Sequence, residues 1–287
     1  MQESQITFQP VVPVRATASD ASEMVTQLLF GEEVLVLERD RQWLRIRAMA
    51  DGYEGWIDEK AVLAAPKAWL DQVPGWTLVE TDHAISFREY QGNTLPLRLP
   101  IAARWPQAQD GTPMSSFTLG DWTFRLPSDQ SSNMGRTPPP SDPKALKAPE
   151  AKERQEAPLS TIHYPMSTEG GSFLGTPYLW GGRTQWGIDC SGFTQAVYRL
   201  SGIAIPRDAS QQAALGWEVA FADRQAGDLA FFVNANGKVH HVGLVLANGA
   251  LRHAHGHVHD CTLTPSGVVS RYTQLQTHSL LYLKRIV

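Results

Sequence analysis

The chain has 287 residues, 42% of them hydrophobic and 19% charged, with a formal net charge of −4 and two cysteines. That length suggests about two domains of roughly 150 residues, with enough apolar side chains for packed cores. The acidic balance excludes a protein built to coat nucleic acid or an anionic membrane. Two cysteines exclude a disulfide scaffold and a four-cysteine zinc site.

No apolar run approaches the ~18 residues needed to cross a bilayer. The opening stretch MQESQITFQPVVPVR shows no basic segment followed by an apolar one, so the expected compartment is the cytoplasm, with the periplasm or the exterior as the alternative for a chain whose signal peptide has been removed.

Residues 1–65 read as a small all-β barrel. Val34 to Leu37 is a short apolar run. Trp43, Arg45 and Arg47 alternate with Leu44 and Ile46, the period of a half-buried strand, and Gly52 and Gly55 punctuate before Trp56 and Ile57. Residues 66–130 suggest a second barrel of the same kind, with strands at Trp76 to Val79, Ala84 to Tyr90 and Trp122 to Leu126. Pro96, Pro100, Pro106 and Pro113 break the intervals.

Residues 131–158 are polar and proline-rich. Such a stretch buries too little apolar surface to offset its ordering entropy, and reads as a linker. A long loop packed across the following domain is the alternative. Residues 159–287 read as α+β. Phe193, Ala196, Val197 and Leu200 recur at helical spacing in Ser191 to Ser201. Strand-like runs follow at Asp228 to Val233, His241 to Leu246, Leu251 to Val258 and Leu280 to Ile286.

Cys190 falls where a loop turns into that helix. A helix N-terminus offers unpaired N–H groups and partial positive charge, so the thiol is expected to have a depressed pKa. A buried, inert cysteine is the competing reading. Of nine histidines, six lie between 240 and 259. His241 opens one strand, and His253 lies on the next after an Asn248-Gly249 turn. A hairpin there sets the two histidines side by side, and the helix bearing Cys190, packed against that sheet, would complete a set of nucleophile, base and orienting group. Tyr178 precedes the Trp180-Gly181-Gly182 turn and is placed to face an oxyanion. The HAHGHVH tract carries His253, His255, His257 and His259 in alternation. On a single strand they share one face, either as a solvated edge or as a metal-binding one, with Asp260 and Cys261 nearby.

The blocks PYLWGGRTQWGIDCSGF, IPRDASQQ, GDLAFF, HHVGLVL and LRHAHG together resemble the NlpC-type cell-wall cysteine peptidases. The blocks SEMVTQLLFGEEV and DGYEGWI are similar to bacterial SH3-like (SH3b) domains. The resemblance implies a papain-like α+β catalytic domain preceded by two SH3b-like barrels. The implied reaction is hydrolysis of the γ-D-glutamyl–diamino-acid amide of murein stem peptides such as L-Ala-γ-D-Glu-diaminopimelate, with lysine as the other diamino acid. The implied enzyme is a monomer that needs no cofactor or metal.

The resemblance makes Cys190 the nucleophile, His241 the general base, His253 the third polar residue and Tyr178 an oxyanion donor. It places Asp189, Ser191, Arg207 and Asp208 along the substrate groove, with Asp208 at the free α-amine. Tyr53, in GYEGW, becomes a wall of the groove. Relatives often have serine after that aspartate; here Ala209 stands there, with Ser210 next. They also usually place a short helix before PYLWGG, where this chain has Thr161-Ile162-His163-Tyr164-Pro165 and then Gly170-Gly171. Three rivals remain: a catalytically weak wall-binding module; an acyltransferase of the permuted type, which would carry histidine before cysteine; and a metal-dependent protein built on the histidine tract.

Overall fold

The computed structural model describes residues 4–81, 84–135, 171–271 and 273–286. It divides into two compact units, 1–141 and 142–287.

The first unit opens with β1 (Ser4–Thr7), β2 (Val11–Arg15), β3 (Met24–Leu29), β4 (Glu33–Asp40), β5 (Trp43–Ala48), β6 (Glu54–Asp58) and β7 (Val62–Ala64). They form one antiparallel sheet in the order β3-β2-β6-β5-β4-β1-β7. In β5, Leu44 and Ile46 are buried while Arg45 and Arg47 are exposed, as the alternation predicts. Leu44 and Ile46 join Val12, Val14, Leu28, Val34 and Ile57 in the core.

A short helix α1 (Lys67–Leu70) then leads to β8 (Trp76–Leu78), β9 (Ile85–Tyr90), β10 (Asn93–Arg98), β11 (Arg104–Pro106), β12 (Ser116–Leu119) and β13 (Trp122–Arg125). These form a four-stranded sheet, β10-β9-β13-β12, and a two-stranded one, β11-β8. Pro96 does not end a strand: it sits inside β10, at the sheet edge, where a missing N–H costs least. Residues 131–135, expected to start the linker, pack on this unit. Met134 bridges Val79, and Gly135 N–H donates to Leu78 O. The remainder of the expected linker, 136–158, lies outside the described residues, as does Thr161 to Pro165.

The second unit carries β14 (Arg183–Thr184), β15 (Gly187–Ile188), α2 (Cys190–Leu200), α3 (Ala209–Gln212), β16 (Trp217–Val219), β17 (Leu229–Val233), β18 (Val239–Val245), β19 (Leu251–His255), β20 (His257–Thr264), β21 (Gly267–Val269) and β22 (Gln276–Arg285). The large sheet runs β16-β22-β17-β18-β19-β20-β21, and β21 also pairs with β22. That last pairing closes a six-stranded antiparallel barrel on its own edge. The barrel buries Ala230, Val245, Leu251, Cys261, Leu263, Val268 and Leu283 together. Helix α2 packs against β18 and β19.

Two local features shape the region around Cys190. The Asn248-Gly249 turn forms as expected: Gly249 has φ +76° and its N–H donates to Leu246 O. Leu251 to Val258, however, is not one strand. Gly256, at φ +72°, reverses the chain, so that His255 pairs with His257 and His253 with His259. The four histidines still share one face, because residues opposite each other across a hairpin point the same way.

Candidate active site

Cys190 is the first residue of α2, and Asp189 is its N-cap. Asp189 Oδ1 accepts from Gly192 N–H at 2.7 Å, and Oδ2 accepts from Gly181 N–H at 2.9 Å. One carboxylate thus ties the helix start to the Gly181-Gly182 turn. The turn lies so close to the helix that a Cβ on Gly192 would come within 2.2 Å of Gly182 O. Arg207 reaches the same carboxylate with both terminal nitrogens, at 3.0 and 2.6 Å, and Nη1 also donates to Ser191 Oγ at 2.9 Å. Asp189, Ser191 and Arg207 are all buried. Arg207 and Asp189 therefore engage each other beneath the nucleophile.

Asp208 lies one residue further on, at the N-cap of α3 and partly exposed. Its N–H donates to Gln211 Oε1 at 3.1 Å. Gln212 is fully buried and joins α3 to α2: its Nε2 donates to Ser191 O, and its Oε1 accepts from Thr194 Oγ1.

Val242 N–H donates to the Cys190 sulfur, which places that sulfur one residue from His241 along β18. His241 Nε2 and His253 Nδ1 share a hydrogen bond of 2.8 Å. The two are diagonal neighbours across the β18–β19 hairpin, whose register is Leu244 to Arg252 and Val245 to Leu251. With Nε2 engaged, Nδ1 is the His241 nitrogen left for proton transfer.

Tyr178 reaches this region through two backbone ladders. Its N–H donates to Gly256 O, and its neighbours Pro177 and Leu179 bond to Ile188. It is half-buried and lies near Cys190 and Asp189. Burial and those two groups raise its phenol to about 12, so it stays a donor. Tyr53 belongs to the first unit, on the turn between β5 and β6, with its N–H bonded to Asp51 Oδ1.

The protonation states differ from the expectation for a helix N-terminus. Burial, with the Asp189 carboxylate adding to it, pushes the Cys190 thiol up to about 12, against the opposing N–H groups of Val242 and Ser191. Burial and four neighbouring imidazoles hold His241 well below its ordinary value. Thiol and imidazole both rest neutral. The cause is desolvation, which outweighs the dipole of a helix only 11 residues long.

One member of the cluster was not singled out from sequence. His278, on β22, stacks on His241 with centroids 4.4 Å apart and planes at 23°. It also lies 4.8 Å from His255 and 5.6 Å from His253. The β22-β17-β18 pairing sets β22 near β18 with only β17 between them, and no local pattern around position 278 announces it.

A family model described as NlpC/P60 matches residues 175–278, and one described as bacterial dipeptidyl-peptidase Sh3 domain matches residues 14–62. The γ-D-glutamyl-L-lysine dipeptidyl-peptidase of Bacillus subtilis is 31% identical over 251 residues, covering 80% of this chain and 71% of that protein. The chain belongs to the NlpC/P60 family. The Bacillus cereus protein of the same name is 28% identical over 246 residues, covering 82% and 68%. A crystal structure of an NlpC/P60 family protein from Bacillus cereus superposes with a TM-score of 0.71 over 99% of both chains, at 22% identity. NlpC/P60 members of this kind are cysteine peptidases, so this chain is a cysteine peptidase with an N-terminal SH3b domain and an α+β catalytic domain.

Proposed function

We propose that the protein hydrolyses the γ-D-glutamyl–diamino-acid amide of murein stem peptides, with diaminopimelate or lysine as the leaving residue and with a free N-terminal L-Ala required. The observation that carries the reading is the placement of a thiol at the start of α2, capped by Val242 N–H, beside a His241–His253 pair joined at 2.8 Å. The names of the Bacillus relatives supply the bond class.

In this mechanism Cys190 attacks the γ-carbonyl carbon as His241 Nδ1 takes the thiol proton. His253 Nδ1 accepts from His241 Nε2–H, which fixes the ring and stabilises the imidazolium. The tetrahedral oxyanion takes hydrogen bonds from Cys190 N–H and the Tyr178 hydroxyl. His241 returns the proton to the departing amine, leaving a thioacyl enzyme, and water then releases the glutamyl product. Asp189, Ser191 and Arg207 hold the helix start and the Gly181-Gly182 turn in register, and so shape the groove from beneath. Asp208 meets the substrate α-ammonium. Residues 66–130 act as a second SH3b-like barrel. The working form is a monomer in the cytoplasm.

The test is mass spectrometry of products from L-Ala-γ-D-Glu-diaminopimelate and its lysine counterpart, run beside the N-acetylated peptides. Release of L-Ala-D-Glu from the free peptides supports the reading. Cleavage at another bond, or none, overturns it.

A further inference from the structure

The peptidase reading uses only one nitrogen of His253. The ring is fully buried, Nδ1 is bonded to His241, and Nε2 meets no partner among the described residues. A buried imidazole nitrogen without a partner is costly, and such groups are rare in folded proteins. On the same face, His259 pairs with His253 across the hairpin, and Cys261 follows two residues along β20. One ligating atom from each of His253, His259 and Cys261 lies within 4.8 Å of the other two. His259 Nδ1–H donates to His257 O at 2.9 Å, which leaves the ring's lone pair on Nε2. Cys261 is a buried free thiol whose sulfur accepts from Arg271 N–H, with the Arg271 charge nearby.

We propose that His253 Nε2, His259 and Cys261 Sγ form a site for a thiophilic divalent cation of the zinc class, and that its occupancy switches the peptidase off. Two imidazoles and one thiolate suit zinc, and three donors leave a fourth position for water. Tetrahedral zinc holds such donors about 3.4–3.6 Å apart, so closing the site needs shifts of about an ångström. His255, exposed, and His257, half-buried, pair at the tip of the same hairpin, on the face that carries His253 and His259. On binding, Cys261 releases its thiol proton to the buffer.

The coupling follows from proton bookkeeping on two rings. This step rests on the catalytic reading of Cys190, His241 and His253. A cation on His253 Nε2 takes that nitrogen's lone pair, so the ring's single proton sits on Nδ1. Nδ1–H then donates to His241 Nε2, which must accept. Neutral His241 consequently carries its proton on Nδ1, the nitrogen needed to receive the Cys190 proton. A doubly protonated His241 would leave two N–H groups facing each other. The base is therefore blocked in either form. Without the cation, His253 carries its proton on Nε2, accepts at Nδ1, and leaves His241 Nδ1 able to act.

The experiment uses the purified full chain after treatment with chelator. Cobalt(II) serves as a spectroscopic probe, because a thiolate ligand gives a charge-transfer band. The band is expected in the wild type and in Cys190→Ala, and it should vanish in Cys261→Ala and weaken in His259→Gln. A band lost in Cys190→Ala, or absent from the wild type, overturns the site. Zinc should slow carboxymethylation of Cys190, followed by mass mapping, at least tenfold in the wild type and not in His259→Gln. Equal slowing in both overturns the coupling. Peptide hydrolysis, where present, should survive EDTA and show at least tenfold weaker zinc inhibition in His259→Gln. A chain that binds cobalt in this pattern yet cleaves no murein peptide keeps the site and refutes the substrate reading instead.

Discussion

Cys190→Ala removes the thiol at the start of α2; the other cysteine, Cys261, lies on β20, two strands from the β18 that carries His241. Hydrolysis is expected to fall by several orders of magnitude, because a missing nucleophile is not replaced by its partners. Near-ultraviolet circular dichroism should stay unchanged, and wild-type turnover in the variant would refute the mechanism. Asp208 offers a more selective test. It sits at the N-cap of α3, where asparagine caps as well as aspartate. Asp208→Asn thus deletes the charge and keeps the helix. Breaking one partner of a desolvated charge pair costs about 2–5 kcal/mol. Free peptide is accordingly expected to be cut at least ~100-fold faster than N-acetylated peptide, a difference near 2.7 kcal/mol. Asp208→Asn should erase much of that preference. Equal rates on both peptides with the wild type would remove the role given to Asp208.

At the scale of elements, the start of α2 depends on a residue from the loop beyond its end. Arg207 is buried and forks onto Asp189, which in turn caps α2 and holds Gly181. Removing one member of a buried ion pair leaves the other uncompensated, at about 3–5 kcal/mol. Arg207→Met is expected to lower stability by that amount in urea titration and to reduce turnover as the Gly181-Gly182 turn loosens. A variant as stable as the wild type would show that Asp189 is satisfied by N–H groups alone. The same elements show what a sequence pattern conveys. Helical spacing placed α2 to within a residue, and Asn248-Gly249 placed a hairpin, because both signals are local. Gly256 was the harder case. HAHGHVH alternates without interruption, and only the glycine at its centre, with histidines mirrored about it, hints at a turn.

Over the whole second unit, the barrel gathers imidazoles from β18, β19, β20 and β22. His241, His253, His255 and His278 are all shifted downward, His278 to about 4, with burial the first cause in each. The unfolded chain protonates these rings near their ordinary value of ~6.5, while the folded chain keeps them neutral. Below that pH the unfolded state binds more protons, so stability is fully present above it and is lost as pH falls. Each fully buried ring contributes a slope of up to about 1.4 kcal/mol per pH unit. Thermal melts in chelator are expected to show a clear loss of stability between pH 7 and pH 5. A flat profile over that range would mean the cluster is solvated.

What the sequence determined by itself was short-range: a cysteine at a helix start, two histidines on adjoining strands, alternating β segments, and five ordered blocks that mark a family. Each is written within a few residues or in their order, and periodicity needs no partner to be read. The tertiary structure decided the rest. The pairing of β22 with β17, beside β18, brought His278 onto His241, and the Gly256 reversal set His259 opposite His253. The loop after α2 returned Arg207 to Asp189. It also decided the charges, because a pKa depends on how much water the fold removes and on which groups it leaves alongside. A helix N-terminus lowers the pKa of an exposed thiol, whereas burial raises that of Cys190.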